Sequence, residues 1–267
     1  MRSPLIKRRN LRQIAVVLLL SLVGCGSESD PVLEETLERL YTVQANTDIS
    51  IQNRDGAVLV YGANTNELQV HATKKAYSHM RLKEIAIDVS VQPTTVSINT
   101  KFPPNPRWAL FDRSGTVDYT IVLPATANIS QLHLVAGEVL VDGMRGPSVH
   151  AWLGDGRMLA HNCFTKIDLI LQRGNLTLSY DWWEHGISVH ANIGQGNAWA
   201  FLPSESAFHL VAETAHGKIA NDFDNLAVER TSSTAAAKID MLVNGEGQAA
   251  IKMRAADGDI KIVEANP

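Results

Sequence analysis

From residue 46 onward, apolar and polar residues alternate with a period of two. Side chains of a strand point alternately to its two faces, so this pattern predicts β-strands with one buried face. Short alternating runs recur as GEVLVDG at 137–143, GNLTLS at 174–179, GKIAN at 217–221 and GDIKIV at 258–263. Turn-forming dipeptides punctuate them at Asp55-Gly56, Asp142-Gly143, Asp155-Gly156, Asn244-Gly245 and Asp257-Gly258. Glycine there supplies a positive φ without a Cβ clash, so each glycine is expected to open a strand after a tight turn.

Those glycines are nearly periodic. Gly137, Gly156, Gly174, Gly196 and Gly217 are separated by 19, 18, 22 and 21 residues, and Gly258 follows 41 later. SVHAWLGDG at 148–156 returns as SVHANIGQG at 188–196. A fixed period near twenty is the mark of repeat architectures. Aligned on the glycines, one set of inward positions falls seven, five and three residues before: Val149, Ala151, Leu153; Ile167, Leu169, Leu171; Val189, Ala191, Ile193; Leu210, Ala212, Thr214; Ile251, Met253, Ala255. A second falls two and four residues after: Val139, Val141; Met158, Ala160; Leu176, Leu178; Ile260, Ile262. A unit this small buries such a face only against its neighbours. The predicted fold is all-β, a β-solenoid resembling a right-handed parallel β-helix with stacked coils of about 20 residues. The alternative is an antiparallel β-sandwich.

The region 46–128 is less regular than 129–263. Residues 49–53 and 57–61 suggest a hairpin about Asp55-Gly56, and residues 85–91, 95–100 and 118–124 suggest further strands. Pro103, Pro104 and Pro106 mark a loop. This part is expected to cap the first edge of the repeats. Before it, residues 25–45 read as a tether. Leu33, Leu37 and Leu40 (or Tyr41) at helical spacing suggest either a short helix or a disordered spacer.

Residues 1–24 belong to targeting rather than to the fold. Arg2, Lys7, Arg8, Arg9 and Arg12 precede a short apolar run from Ile14 to Val23. That run is too short for a bilayer, which needs about 20 apolar residues. A basic start followed by a short apolar run is the layout of a secretory signal. The segment LVGC at 22–25 then resembles the bacterial lipobox, which implies lipidation of Cys25 and a new N-terminus there. Gly26, rather than Asp, follows the cysteine; by resemblance to enterobacterial sorting, this implies the outer membrane. Arg8-Arg9 gives a weaker resemblance to a twin-arginine signal.

The chain carries a net charge of −4; without residues 1–24 and their five cations this becomes −9. An acidic surface repels polyphosphate, so nucleic acid is not an expected partner. Only Cys25 and Cys163 are present. With Cys25 lipidated, Cys163 has no intramolecular partner and reads as a small buried apolar residue.

The repeats resemble a bacterial family of β-strand-repeat domains of unknown function, often given an adhesin label. The resemblance spans about residues 45–263 and rests on VDYTIVLP at 117–124, LHLVAGEV at 132–139, TAHGKI at 214–219 and ADGDIKI at 256–262. It implies no catalytic residues.

Three constellations are candidates for chemistry. His150, Asp168 and His190 fall six residues before successive glycines and form a His–Asp–His ladder. Such a ladder could hold a divalent metal, but without an evident fourth ligand a solvated polar ladder is the plainer reading, and no cofactor is expected. Trp152, Trp182, Trp183 and His185 form a candidate binding group, since exposed aromatics stack on sugars or anchor proteins; Tyr180 and Trp199 lie in the same stretch. Packing of the aromatics against the flank is the alternative. Asp222 and Asp224 could pair for glycosidic cleavage, though NDFDN at 221–225 has the makeup of a turn. The expectation is a lipid-anchored, non-catalytic envelope protein, adhesin-like or structural. Its partners are the membrane and an envelope protein or glycan. A polysaccharide lyase or hydrolase on a β-helix scaffold is the alternative.

Overall fold

A computed structural model describes residues 32–104, 115–223, 236–245 and 248–265. The targeting segment, Cys25, Pro106 and Asp224 lie outside the described residues.

Among the described residues, fifteen strands and one short helix follow in order: β1 (Leu33–Thr42), β2 (Asp48–Ala63), β3 (Glu67–Ala76), α1 (His79–Glu84), β4 (Ala86–Val91), β5 (Thr95–Lys101), β6 (Thr116–Pro124), β7 (Asn128–Asp142), β8 (Ser148–His161), β9 (Lys166–Ser179), β10 (Ser188–Pro203), β11 (Phe208–His216), β12 (Ile219–Asn221), β13 (Ala237–Val243), β14 (Ala249–Asp257) and β15 (Ile260–Ala265). They form one mixed sheet whose main path runs β1-β3-β6-β2-β7-β8-β9-β10-β14-β11-β13. This corrects the expected parallel β-helix. Antiparallel pairs β1–β3, β3–β6, β4–β5 and β11–β13 flank the parallel middle. Neighbours are also not consecutive in the chain: β2 pairs with β7, and β14 lies between β10 and β11. The antiparallel alternative is the closer of the two readings.

The glycines explain the difference. Five of them do not open strands but lie inside them, whereas Gly217 and Gly258 fall in the short breaks after β11 and β14. Gly56, expected in a hairpin, sits within the unbroken 16-residue β2. Gly56, Gly137, Gly156, Gly174 and Gly196 have φ between +122° and +138° and pair rung to rung. At this φ the chain stays extended while the alternation slips by one residue. In β8, for example, Val149, Ala151 and Leu153 are buried before the glycine, and Met158 and Ala160 after it. The two halves of each long strand thereby turn their apolar sides to one shared core. All the inward residues named from the sequence are at most 4% exposed, so the register of the repeats is as the glycine alignment gives it.

The first described strand also departs from the sequence pattern. Leu33–Thr42 is neither helix nor spacer but pairs antiparallel with β3 over ten residues. Leu33, Leu37 and Tyr41 pack on the core, while Glu35, on the same face, pairs with Lys74 at 2.7 Å. The 85–91 and 95–100 runs form the β4–β5 hairpin, and residues 116–124 form β6 as expected.

Candidate functional site

Corners of the chain join consecutive long strands at residues 143–147, 162–165 and 180–187. Their side chains meet across the ladder. Arg145, Phe164 and Trp183 follow one another at a 19-residue offset. Phe164 lies 5.0 Å from Trp182 and 5.4 Å from Tyr180, ring centre to ring centre. Tyr180 meets Trp183 edge-on at 5.5 Å, and Trp183 continues to Phe208 at 5.6 Å and Phe208 to Phe223 at 5.5 Å. The row runs from the surface at Trp182 to the core at Phe208, which is fully buried.

Polar groups fix the outer end of this row. The Arg145 guanidinium donates both terminal N–H groups to Glu184 at 2.8 Å each and lies 4.7 Å over the Phe164 ring. The Trp182 indole N–H donates to the same carboxylate at 2.9 Å. The hydrogen bond to Arg145 holds the Glu184 carboxyl below the usual range. Trp183 donates to the Ala207 carbonyl at 3.2 Å. Beneath, Tyr180 donates to the Cys163 carbonyl at 2.9 Å, and burial pushes its phenol well up. Cys163 is 1% exposed, as the sequence suggests, and burial pushes its thiol up to about 12.

A second polar set sits at the same corner. His161 Nδ1 is 2.9 Å from Asp142 and its Nε2 is 3.2 Å from Asp181. Asn162, at φ +47°, donates to the Asp181 carboxylate and accepts its backbone N–H, both at 2.9 Å. These contacts, led by Asn162, hold the Asp181 carboxyl low. They anchor the residue immediately before Trp182.

The sequence candidates are thus divided. Trp182, Trp183 and His185 share the longest corner, with Trp182 and His185 exposed and Trp183 half-buried. Trp152 is elsewhere: its ring stacks on His133 at 4.1 Å and 3° on the outer face of the ladder, over Gly154. His150, Asp168 and His190 occupy one row across β8, β9 and β10, with His150 3.6 Å from Asp168. Among the described residues, no three His, Cys, Asp or Glu side chains converge as a metal site. Asp222 lies in the turn after β12, its N–H bonded to the Ile262 carbonyl. A groove of about 760 Å³ runs over the first glycines, but its charged groups are already paired: Asp118 with Lys75 at 3.1 Å and Glu138 with Arg157 at 3.5 Å. Sequence reasoning missed Arg145, Phe164, Asp142, His161 and Asp181. Their signal is the repeat offset itself, 19 residues from Asp142 to His161 and from Arg145 to Phe164.

No helix among the described residues is long and apolar enough to cross a membrane. The chain matches no protein-family model and no curated protein. It is similar to the solved structure of a "putative cell adhesion protein" from Clostridium sporogenes, at 15% identity and a TM-score of 0.47, over 86% of this chain and 100% of that one. Structures named "putative adhesin" from Bacteroides fragilis (12% identity, TM-score 0.28) and Parabacteroides merdae (9%, 0.20) each cover 86% of this chain and 97% of their own. None reaches a TM-score of 0.5, and their names describe those proteins alone.

Proposed function

We propose that this is an outer-membrane lipoprotein, anchored through lipid on Cys25, whose β body is a non-catalytic, adhesin-like binding element of the cell envelope. The anchor follows from the basic start, the short apolar run and the lipobox-like LVGC at 22–25. The observation that carries the binding role is the locked corner at Trp182. A half-exposed indole is held by a bidentate ion pair at the surface of a rigid, in-register ladder. Exposed aromatics on a rigid frame bind at low cost in lost side-chain freedom. Trp182, Trp183 and His185 form the contact surface in this reading.

Two measurements test it. Radiolabelled palmitate is incorporated by the native chain and not by Cys25→Ala, which leaves the membrane fraction; unchanged labelling overturns the anchor. A photo-crosslinker at position 185, in cells, gives a discrete adduct that disappears when Trp182→Ala is added. A control crosslinker at the exposed position 261, in β15, does not give it. Identical products from both positions overturn the binding surface.

A further inference from the structure

Four side chains at the corner lock one another. Phe164 backs one side of Trp182 with its ring tilted by 30°. The indole N–H is tied to Glu184, Glu184 to Arg145, and Arg145 to the Phe164 face. Trp182 nevertheless keeps 45% of its surface open. The outcome is an apolar plate of fixed orientation beside a carboxylate–guanidinium pair whose charges cancel.

The chemistry of that arrangement selects its ligand. A phosphate or carboxylate ligand competes with Glu184 for Arg145, and a cationic ligand competes with Arg145 for Glu184. Because the charges of the pair cancel, neither an anion nor a cation meets a full unpaired counter-charge here. A neutral hydroxyl breaks nothing: it donates to a carboxylate lone pair or accepts from a guanidinium N–H. A pyranose ring offers such hydroxyls around its edge and C–H groups on its face, which pack on an aromatic plate. The plate is an open corner, not an enclosed pocket, so it suits the interior of a sugar chain better than a small molecule buried on most of its surface.

Resting on the binding role proposed above, we infer that the Trp182–Glu184–Arg145 corner is a binding site for an uncharged pyranose polysaccharide. Trp182 stacks on one sugar ring, and Glu184 and Arg145 bond its hydroxyls. His185, exposed and next after Glu184 in the same corner, borders the site.

The test uses the full lipidated chain in detergent micelles, titrated with soluble β-1,3-glucan, β-1,4-glucan, mannan and galactan, with hyaluronan and polyphosphate as charged controls. Indole fluorescence and calorimetry report binding. At least one neutral polymer is expected to bind. Trp182→Ala should weaken it tenfold or more, and Glu184→Gln by a smaller factor. Trp152→Ala, whose ring is already stacked on His133, should leave it within twofold. The thermal melt of Trp182→Ala should match that of the parent, because the side chain is half exposed. Absence of binding to every neutral polymer overturns the inference, as does binding unmoved by Trp182→Ala or preference for a charged control. A protein adduct at position 185 that needs Trp182, with no glycan bound, overturns the sugar ligand while leaving the binding surface standing.

Discussion

The glycine line and the aromatic corner are repeated features at opposite ends of the same strand halves, and they are built in opposite ways. Along the glycine line every rung carries the same residue, because the neighbouring backbone occupies the space of a side chain. A Cβ on Gly137, Gly156, Gly174 or Gly196 would lie 1.8 Å from the carbonyl oxygen of the glycine one rung before. At the corners no two rungs agree: Arg145, Phe164 and Trp183 succeed one another. Uniform residues mark where the backbone dictates the chemistry. Varied residues mark where it does not, and there the side chains are available for function.

Substitutions in the two regions should differ in cost accordingly. Gly156→Val adds a branched side chain at φ +138° against the Gly137 carbonyl. It should cost more than about 4 kcal/mol, seen as loss of the cooperative urea transition. Phe208→Ala, at the buried end of the aromatic row, should cost about 3 to 5 kcal/mol by the same measurement. Gly186→Ala is the sharper control. Gly186 also has positive φ, at +82°, but nothing lies within 4 Å of a Cβ there. It should cost only about 1 to 2 kcal/mol, the local backbone term alone. Equal losses for Gly156→Ala and Gly186→Ala would show that φ, not contact between rungs, sets the glycine line.

Smaller effects come from the corner's charges. Arg145→Ala removes a half-exposed pair and should cost less than about 1 kcal/mol, while broadening the Trp182 indole resonance in NMR spectra. Asp181 and Glu184 have folded pKa values held below the ordinary carboxylate range. Their contribution is therefore present above that range and is lost as pH falls through the lower folded values. Both groups are near the surface, so the acid-side slope of stability should be shallow, and shallower still in Asp181→Asn. At pH 8 the buried Cys163 thiol should resist aromatic disulfide reagents in the folded chain and react at once in urea.

The core was legible in the sequence because two rules agree: alternation assigns each side chain a face, and the glycine spacing aligns the rungs. Connectivity was not legible. An Asp-Gly pair reads the same whether the chain reverses, as expected at Asp55-Gly56, or continues with its phase slipped, as it does in β2. The four-residue spacing of Leu33, Leu37 and Tyr41 imitates a helix because the two intervening same-face positions are polar: Glu35 pairs with Lys74, and Arg39 is exposed. The placement of β14 between β10 and β11 joins residues about 40 to 60 apart, and no local pattern encodes it. Within the site, Trp182, Trp183 and His185 stood out by residue type. Arg145 and Phe164 did not, since each lies on its own corner and they meet only once the ladder is formed.

The unequal spacing of the glycines has a consequence for how such a chain tolerates insertions and deletions. The steps from Gly137 to Gly156, Gly174 and Gly196 are 19, 18 and 22 residues, and the corners they contain are five, four and eight residues long. Subtracting each corner from its step leaves fourteen every time. Length change is thus confined to the corners; one residue gained or lost inside a strand half would carry its apolar side to the solvent. The longest corner is the one that holds Trp182, so spare chain length and exposed chemistry coincide, and new contacts can be gained or discarded there while the fourteen-residue frame stays intact.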